Sequence, residues 1–231
     1  MNDYTRVYNA FAARYNLSVL RDDAAMQKEH VHGLFYQDRL FAYLLGDASG
    51  PTAYVVFQDE MRDGAPWLAV REAAWTTPAA FRSVLGFLAR FSADYTMLEL
   101  PLPSDINLKQ LAQDPYRVEL FPKCDYMVRA VNADALLSLL RKPADAAFTV
   151  NVTGDEQIPE NNGCREVCGE RVMRTKAAPD LTVSVNALAQ LAVGAISLDA
   201  AECRADVTVH ANRELLRGIF VPKPLYIGDH F

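Results

Sequence analysis

Residues 67–88 have the sequence WLAVREAAWTTPAAFRSVLGFL, and this stretch decides the fold class of the first half of the chain. The apolar run from Trp67 to Trp75 predicts a strand. Thr77 and Pro78 then supply the cap and the first-turn residue of a helix. The apolar positions of this helix follow at the i, i+3, i+4, i+7 spacing: Phe81, Val84, Leu85 and Leu88. A strand leading into an amphipathic helix predicts a layered α/β arrangement.

Further strands flank this stretch on both sides. Residues 41–45 and 54–57 predict a hairpin across the turn at 46–51, and residues 95–100 predict a strand that stops at the Pro-Leu-Pro sequence of residues 101–103. The order strand, strand, strand, helix, strand favours a mixed α/β layer over a helix bundle.

The first residues predict an amphipathic helix. Tyr4, Tyr8, Phe11 and Tyr15 form an aromatic stripe at helical spacing, which is typical of a core or an interface. Asp22 and Asp23 then predict the start of a second short helix, because acidic residues cap a helix and complement its dipole.

The second half has its own pattern, which begins after Pro122. Strands are predicted at residues 125–131, 148–152, 164–176, 181–185 and 206–210, with a polar loop at 154–163. Asn132 and Asn186 are the predicted caps of two helices, Gly194 the predicted end of the second, and residues 213–220 a last helix. We therefore predict two domains, residues 1–122 and 123–231, the second an antiparallel sheet with helices.

Composition excludes several classes of partner. The chain has 231 residues, 23 Lys and Arg against 29 Asp and Glu, and a net charge of −6. Neither half is basic, which argues against nucleic acid or an anionic membrane surface as the main partner. No apolar run reaches membrane-spanning length, and the first residues lack the pattern of a secretory signal, so we expect a cytoplasmic protein.

Motifs for metal, phosphate or nucleophile chemistry are missing. The cysteines, which we expect to be reduced thiols, are Cys124, Cys164, Cys168 and Cys203. The C-x3-C spacing of Cys164 and Cys168 is unusual for zinc, which leaves a metal site as the minor alternative; His30 and His32, two apart, are a weaker candidate. Glu72, Glu99 and the other carboxylates form no recognisable catalytic pair.

Several stretches, taken in order, resemble one family. The family is that of the enhanced-intracellular-survival (Eis-type) acetyltransferases. Residues 8–14 resemble the helix that opens its central lobe, and residues 40–57 resemble its hairpin. The stretch 125–132 with Leu136 and Leu137 resembles the entry to its last domain, and residues 148–152 and 180–194 resemble the strands and helix of its sterol-carrier-protein-like fold. Phe231 matches the family's final aromatic residue.

The resemblance implies a fold and a function. A complete enzyme of the family has an acetyl-CoA-binding lobe, a degenerate acetyltransferase-like lobe and a sterol-carrier-like domain. This chain resembles the second and third parts: a degenerate GNAT-like mixed sheet in residues 1–122, then the sterol-carrier-like domain in 123–231. The resemblance therefore implies no cofactor in this chain and acetyl-CoA in the complete enzyme, with the missing lobe as partner.

The family's phosphate-binding pattern, Arg or Gln followed by spaced glycines, is not found in this sequence. Such a loop holds phosphates through backbone N–H groups at a helix start. Arg165, Arg171 and Arg217 are followed by no matching glycine pair. We therefore assign no cofactor-binding residue.

Phe231 is the one functional residue that the resemblance carries over. In the family the α-carboxylate of the last residue is the proposed general base for an amine substrate, and a merely packed terminus is the alternative here. The resemblance also implies a homo-oligomer.

Two other functions stay open. The sterol-carrier-like half is an alternative binding module for an apolar ligand, or a purely structural and oligomerisation element. The apolar residues that would line a cavity or fill a core are Leu136, Leu140, Phe148, Leu188, Leu191, Leu215 and Phe220.

Overall fold

A computed structural model describes residues 2–27, 40–122 and 127–228 of the chain. Its contacts define two compact units: the first runs to Leu111 and resumes at Leu225, and the second is Ala112–Pro224. The predicted fold class is confirmed, because each unit is a mixed sheet with helices packed on it. The domain boundary at residue 122 stays a prediction.

The first unit contains helices α1 (Asn2–Ala12), α2 (Asp23–Gln27), α3 (Pro78–Ala89) and α4 (Leu108–Leu111). Its strands are β1 (Leu40–Asp47), β2 (Gly50–Arg62), β3 (Ala65–Trp75) and β4 (Met97–Glu99). The second unit contains helices α5 (Ala133–Leu139), α6 (Val185–Val193), α7 (Leu198–Ala201) and α8 (Arg213–Ile219). Its strands are β5 (Ala147–Thr153), β6 (Gly163–Cys168), β7 (Arg171–Arg174), β8 (Leu181–Ser184) and β9 (Val207–Val209). No helix in these described ranges has both the length and the apolar character that crossing a membrane requires.

The sheet of the first unit has the order β1-β2-β3-β4. β1, β2 and β3 are antiparallel neighbours, and β4 pairs parallel to β3 after the chain has passed through α3. β2 is buried on both faces: the ring of Tyr4 in α1 lies 5.1 Å from Tyr54, and Phe87 in α3 lies 6.5 Å from Phe57. This sheet and its helices form the predicted mixed α/β layer.

The aromatic stripe of α1 belongs to the core of the first unit. Tyr8 and Phe11 are fully buried, and Tyr4 and Tyr15 pack against the same cluster. The core alternative predicted for the stripe is therefore confirmed.

The sheet of the second unit has the order β7-β6-β5-β8-β9. Three of its four pairs are antiparallel, as predicted, but β5 and β8 are parallel. The reason lies in the register: Arg174 at the end of β7 is level with Arg165, which is level with Val150 and hence with Leu181 at the start of β8. The six-residue connection therefore crosses the sheet and continues in the same direction.

Local signals placed most helix ends correctly, with one exception. Asn132 caps α5 through its side chain, and Gly194 ends α6 with a φ of 78°. The predicted cap Asn186, however, lies inside α6, which begins at Val185. Ser184 is the cap, because its Oγ accepts the Ala187 N–H at 3.1 Å.

One predicted strand is wrong. Residues 127–131 form no strand, and residues 125–126 lie outside the described part of the chain. A strand needs a neighbour for its backbone N–H and C=O groups, and within the described residues no strand pairs with this stretch. The Ala130 carbonyl instead accepts a hydrogen bond from the Asn161 side chain at 3.2 Å.

Candidate functional site

The segment that precedes Phe231 is held against the first unit by its backbone. The Leu225 N–H donates to Ser104 Oγ at 2.8 Å, and the Leu225 carbonyl accepts from the Ser104 N–H at 3.0 Å. The Tyr226 N–H donates to the Asn16 carbonyl at 3.4 Å, and the Tyr226 carbonyl accepts from Ser18 Oγ at 2.7 Å. We call Asn16, Ser18, Ser104, Leu225 and Tyr226 the tail anchor.

The side chain of Tyr226 is part of the same attachment. It is 7% exposed and belongs to the core of the first unit. Its ring lies 5.0 Å from Phe11 at 86° and 6.1 Å from Tyr15. Edge-to-face aromatic pairs add about 0.5–1.5 kcal/mol beyond the burial of apolar area. The tail is thus fixed by both packing and hydrogen bonds.

A turn at Leu17 brings one hydrogen-bond acceptor and one donor to the tail. Leu17 has a φ of 68°, a left-handed conformation that is uncommon for a residue with a β-carbon. It reverses the chain between Asn16 and Ser18, whose carbonyl and hydroxyl groups both bond Tyr226. The strain of this turn is of order 1–3 kcal/mol, and the packing and hydrogen bonds of the tail anchor offset it.

Gly228 lies close to the Tyr226 ring. A β-carbon placed at Gly228 would lie 2.9 Å from Cε1 and 3.1 Å from the hydroxyl oxygen of Tyr226. Only a glycine fits this approach without a shift of the buried ring. Phe231, the predicted site residue, lies outside the described residues.

Two charged residues, Asp105 and Arg14, act on Tyr15, whose ring packs against Tyr226. Burial raises the pKa of the Tyr15 hydroxyl above its usual value, the negative charge of Asp105 raises it further, and Arg14 opposes both. Arg14 lies with its guanidinium carbon 5.1 Å from the centre of the Phe11 ring and donates to the Trp75 carbonyl at 2.6 Å. Tyr15 is therefore a neutral packing residue at physiological pH.

The start of α3 is where a strand-helix unit would hold the phosphates of a cofactor. Here Pro78 supplies no N–H, and Thr77 Oγ1 accepts the Ala80 N–H at 3.1 Å. The Thr77 carbonyl also accepts the Phe81 N–H at 3.0 Å. These residues cap the helix with their own groups, and they do not fit a pyrophosphate cradle.

The three arginines that were considered for a phosphate-binding motif differ in burial and in their partners. Arg165 is 1% exposed on the core side of β6 and donates to the carbonyls of Gly163 at 2.9 Å and Glu160 at 3.0 Å, and to Asp134. Arg171 is exposed, and Arg217 pairs with Asp199 and Glu214 at 2.7 Å each.

A buried charge cluster escaped the sequence analysis. Glu72, 5% exposed, accepts from Arg21 Nη1 at 2.9 and 3.1 Å and from the Tyr54 hydroxyl. The Arg21 guanidinium also lies 3.8 Å from the Tyr8 ring centre. The available signal was the pair of charged residues, Arg71 and Glu72, inside the otherwise apolar run of β3. The cluster is a buried ion pair with a hydroxyl donor inside the first unit.

The described cysteines form no disulfide with one another, and their reduced state stays a prediction. Cys164, Cys168 and Cys203 are free cysteines, and among the described residues no group of three or more Cys, His, Asp and Glu forms a metal site. Cys124, His30 and His32 lie outside the described residues.

Comparison with protein-family models matches residues 17–149 to an acetyltransferase (GNAT) domain, which is more than half of the chain. The chain belongs to the GNAT acetyltransferase family. Residues 132–227 of this GNAT chain also match a sterol carrier protein domain. A search of curated protein sequences finds no match to it.

Three solved structures share the fold of this GNAT chain. Eis1 from Mycobacterium abscessus is 22% identical with a TM-score of 0.68, and a GCN5-related N-acetyltransferase from Anabaena variabilis is 18% identical with a TM-score of 0.71. A conserved protein of unknown function from Enterococcus faecalis, a probable N-acyltransferase, is 16% identical with a TM-score of 0.73.

The three matches differ in how much of each chain they cover. They include 87%, 100% and 98% of the GNAT chain but only 53%, 60% and 59% of the respective solved chains. The GNAT chain thus spans little more than half the length of its structural relatives. At these identities the likeness shows the fold alone.

Proposed function

We propose that the chain is the C-terminal region of an Eis-type acetyl-CoA-dependent N-acetyltransferase. The family match and the fold shared with Eis1 support this assignment. So does the start of α3, where Pro78 and Thr77 leave no pyrophosphate cradle. In this proposal a separate acetyl-CoA-binding lobe completes the enzyme, and the complete assembly is a cytoplasmic homo-oligomer.

The chain's own chemical contribution is the α-carboxylate of Phe231. Acetyl-CoA, which the other lobe would hold, would supply the acetyl thioester: the amine would form the new N–C bond as the C–S bond breaks and CoA leaves as the thiolate. The amine must lose a proton to become a nucleophile, and the carboxylate accepts that proton as the general base. A free α-carboxyl has a pKa of about 3.3–3.7, so burial must raise it for this role. The same charge binds a cationic amine by a charge-assisted hydrogen bond.

The tail anchor is the observation that carries the proposal. A base contributes to catalysis only when it is held within hydrogen-bond reach of the proton it accepts. Here Tyr226 is buried and both its backbone groups are bonded five residues before Phe231.

The test uses the chain with its acetyl-CoA-binding lobe restored, fused ahead of Met1 or mixed with the purified chain. Extending the chain by a few residues beyond Phe231 displaces the carboxylate and changes no other side chain. A positioned base is worth about 10²–10⁴ in rate, so kcat for an amine acceptor falls by that factor. The control Phe231→Tyr keeps the carboxylate and stays within a few-fold of the parent. An extended enzyme with the parent rate refutes the carboxylate base.

Calorimetry on the chain alone tests the other half of the proposal. Because α3 lacks the phosphate cradle, the isolated chain is expected to give no acetyl-CoA binding at micromolar concentration. A micromolar Kd would show that this unit holds the cofactor itself.

The match to a sterol carrier protein domain favours one second candidate, binding of an apolar ligand by the second unit. The candidate lining residues all lie in, or pack against, one core cluster. This is the arrangement expected of a filled core, so the candidate ranks second. Titration of the chain with a fluorescent fatty acid decides it: saturable binding at one site supports a ligand function, and its absence supports a structural domain.

A further inference from the structure

We propose that strand β1 is the surface through which two copies of this chain associate, edge to edge and antiparallel. The inference gives a surface to the homo-oligomer of the proposed function, and it rests on that part of the proposal alone. β1 is the outer strand of the first sheet, and within the described residues its one strand neighbour is β2. The other side of β1 can therefore take a further strand.

The four edge strands of the two described sheets differ in how they are protected. β4 and β9 have three residues each, and β7 begins and ends with an arginine, Arg171 and Arg174. Short length and charged side chains are two means by which natural proteins prevent edge-to-edge pairing. β1 has eight residues and carries no charge from Leu40 to Gly46. It is the longest of these edges, and it lacks both protections.

Large apolar side chains of β1 are partly exposed on both faces of the sheet. Phe41 is 36%, Tyr43 40% and Leu44 38% exposed. Phe41 and Tyr43 lie on the α3 face, where their ring centres are 5.5 and 5.7 Å from that of Phe57. Leu44 alternates with them and lies on the other face, opposite Tyr54 in β2. An added strand would therefore cover apolar surface on both faces at once.

The sequence of β1 is complementary to itself. In an antiparallel pair directly opposed residues lie on the same face, so a two-fold axis must relate a residue to its own copy. An axis at Ala42 sets Ala42 against itself and Phe41 against Tyr43 of the second copy. It also sets Leu40 against Leu44. Aromatic and aliphatic pairs of this kind stabilise neighbouring strands, and because residues 40–44 are uncharged, no like charges oppose each other.

A β-bulge decides which residue lies on the axis. The register of β1 on β2 shifts between Leu45 and Gly46, so regular pairing ends there. An axis at Ala42 keeps every opposed pair of residues 40–44 ahead of the bulge. An axis at Tyr43 would set residue 40 against residue 46, beyond it. Asp47, the charged residue of β1, also lies past the bulge and outside the paired segment.

The experiment measures the mass of the chain alone by sedimentation equilibrium over a range of concentrations. An interface of this length belongs to the small class, below about 1,200 Å² in total, which is typical of weak complexes, so we expect a dimer with a micromolar Kd. Ala42→Glu and Ala42→Lys each set two like charges against each other on the axis and are expected to raise that Kd at least about tenfold. An equal mixture of the two variants opposes Glu to Lys and is expected to recover association.

A cysteine on the axis gives a second measurement. Opposed residues of an antiparallel pair have α-carbons about 4.5–5.5 Å apart, which is within the range that a disulfide spans. Ala42→Cys under mild oxidation is therefore expected to form a covalent dimer linked through residue 42, identified by peptide mass spectrometry. Leu139, the last residue of α5, is 82% exposed and supplies both controls. Leu139→Lys is expected to keep the parent Kd, and Leu139→Cys to stay unlinked at that position.

The inference is overturned if the parent chain stays monomeric, or if it dimerises and neither charge at residue 42 weakens the dimer. A mixture of the charged variants that does not recover the dimer also overturns it. If the chain is monomeric and Ala42→Lys prevents binding of a separately purified acetyl-CoA-binding lobe, the edge belongs to that lobe instead. Should the charged variants fail to fold, the Ala42→Cys link decides the question. None of these readouts is acetyl transfer, so failure here is distinct from failure of the acetyltransferase assignment.

Discussion

Replacing Arg165 with methionine tests how much a buried guanidinium contributes to the second unit. The Arg165 side chain is 1% exposed and donates to the carbonyls of Gly163 and Glu160 and to Asp134. Arg165→Met keeps most of the volume and removes every one of these donors. The matched control is Arg171, which is exposed at the start of the neighbouring strand β7. Arg171→Met removes the same charge, but from the surface.

The magnitude follows from the contacts. A hydrogen bond from a charged donor is worth about 1.5–3 kcal/mol, and Arg165 makes two to carbonyls at 2.9 and 3.0 Å. Asp134 is 51% exposed and can hydrate once its partner is gone. With part of the loss offset by burial of the methionine, we expect a net destabilisation of about 2–4 kcal/mol. Arg171→Met is expected to change stability by less than about 0.5 kcal/mol.

Differential scanning calorimetry measures both variants. Unfolding entropy is about 2.1 cal/mol/K per residue, so for a unit the size of Ala112–Pro224 the Arg165→Met transition falls by about 8–17 °C. The transition of the first unit serves as an internal reference. Equal shifts for the Arg165 and Arg171 variants would refute the reasoning, since burial would then make no difference.

Two further predictions concern the second unit. A hydrogen bond from the Asn161 amide is the main reason that the pKa of Asp155 lies below its usual value; backbone N–H groups and the charge of Arg129 add to the effect. The ionised carboxylate therefore stabilises the fold above about pH 4, and this contribution is lost as the pH falls through the folded pKa. Urea unfolding between pH 7 and pH 3 should therefore show a steeper acid loss for the parent than for Asp155→Asn, and parallel curves would count against it. Gly194→Ala should lower the free energy of unfolding by at least about 1 kcal/mol, because the φ of Gly194 is 78° and a β-carbon would lie 2.8 Å from the backbone nitrogen of Lys223. Gly218→Ala, in α8 with open space around it, should gain about 0.5–1 kcal/mol, and equal effects of the two changes would contradict the argument.

Local patterns in the sequence determined the elements and the fold class. The Thr77-Pro78 start of α3, the Asn132 cap of α5 and the Gly194 end of α6 all lie where the sequence placed them. These signals act between neighbours, because a cap bonds an N–H two or three residues away and an apolar stripe repeats within one helix. A family resemblance across most of the chain added the pairing of a GNAT-like lobe with a sterol-carrier-like domain.

Tertiary structure decided what depends on partners far along the chain. Arg165 and Arg171 look alike in the sequence, but strand pairing places one in the core and the other on the surface. The stretch 127–131 has strand-like residues, but no strand in the described part of the chain pairs with it. The tail anchor joins Ser18 to Tyr226 across 208 residues and Ser104 to Leu225 across 121. No local spacing encodes such contacts, because they arise only when packing of the whole unit brings the segments together.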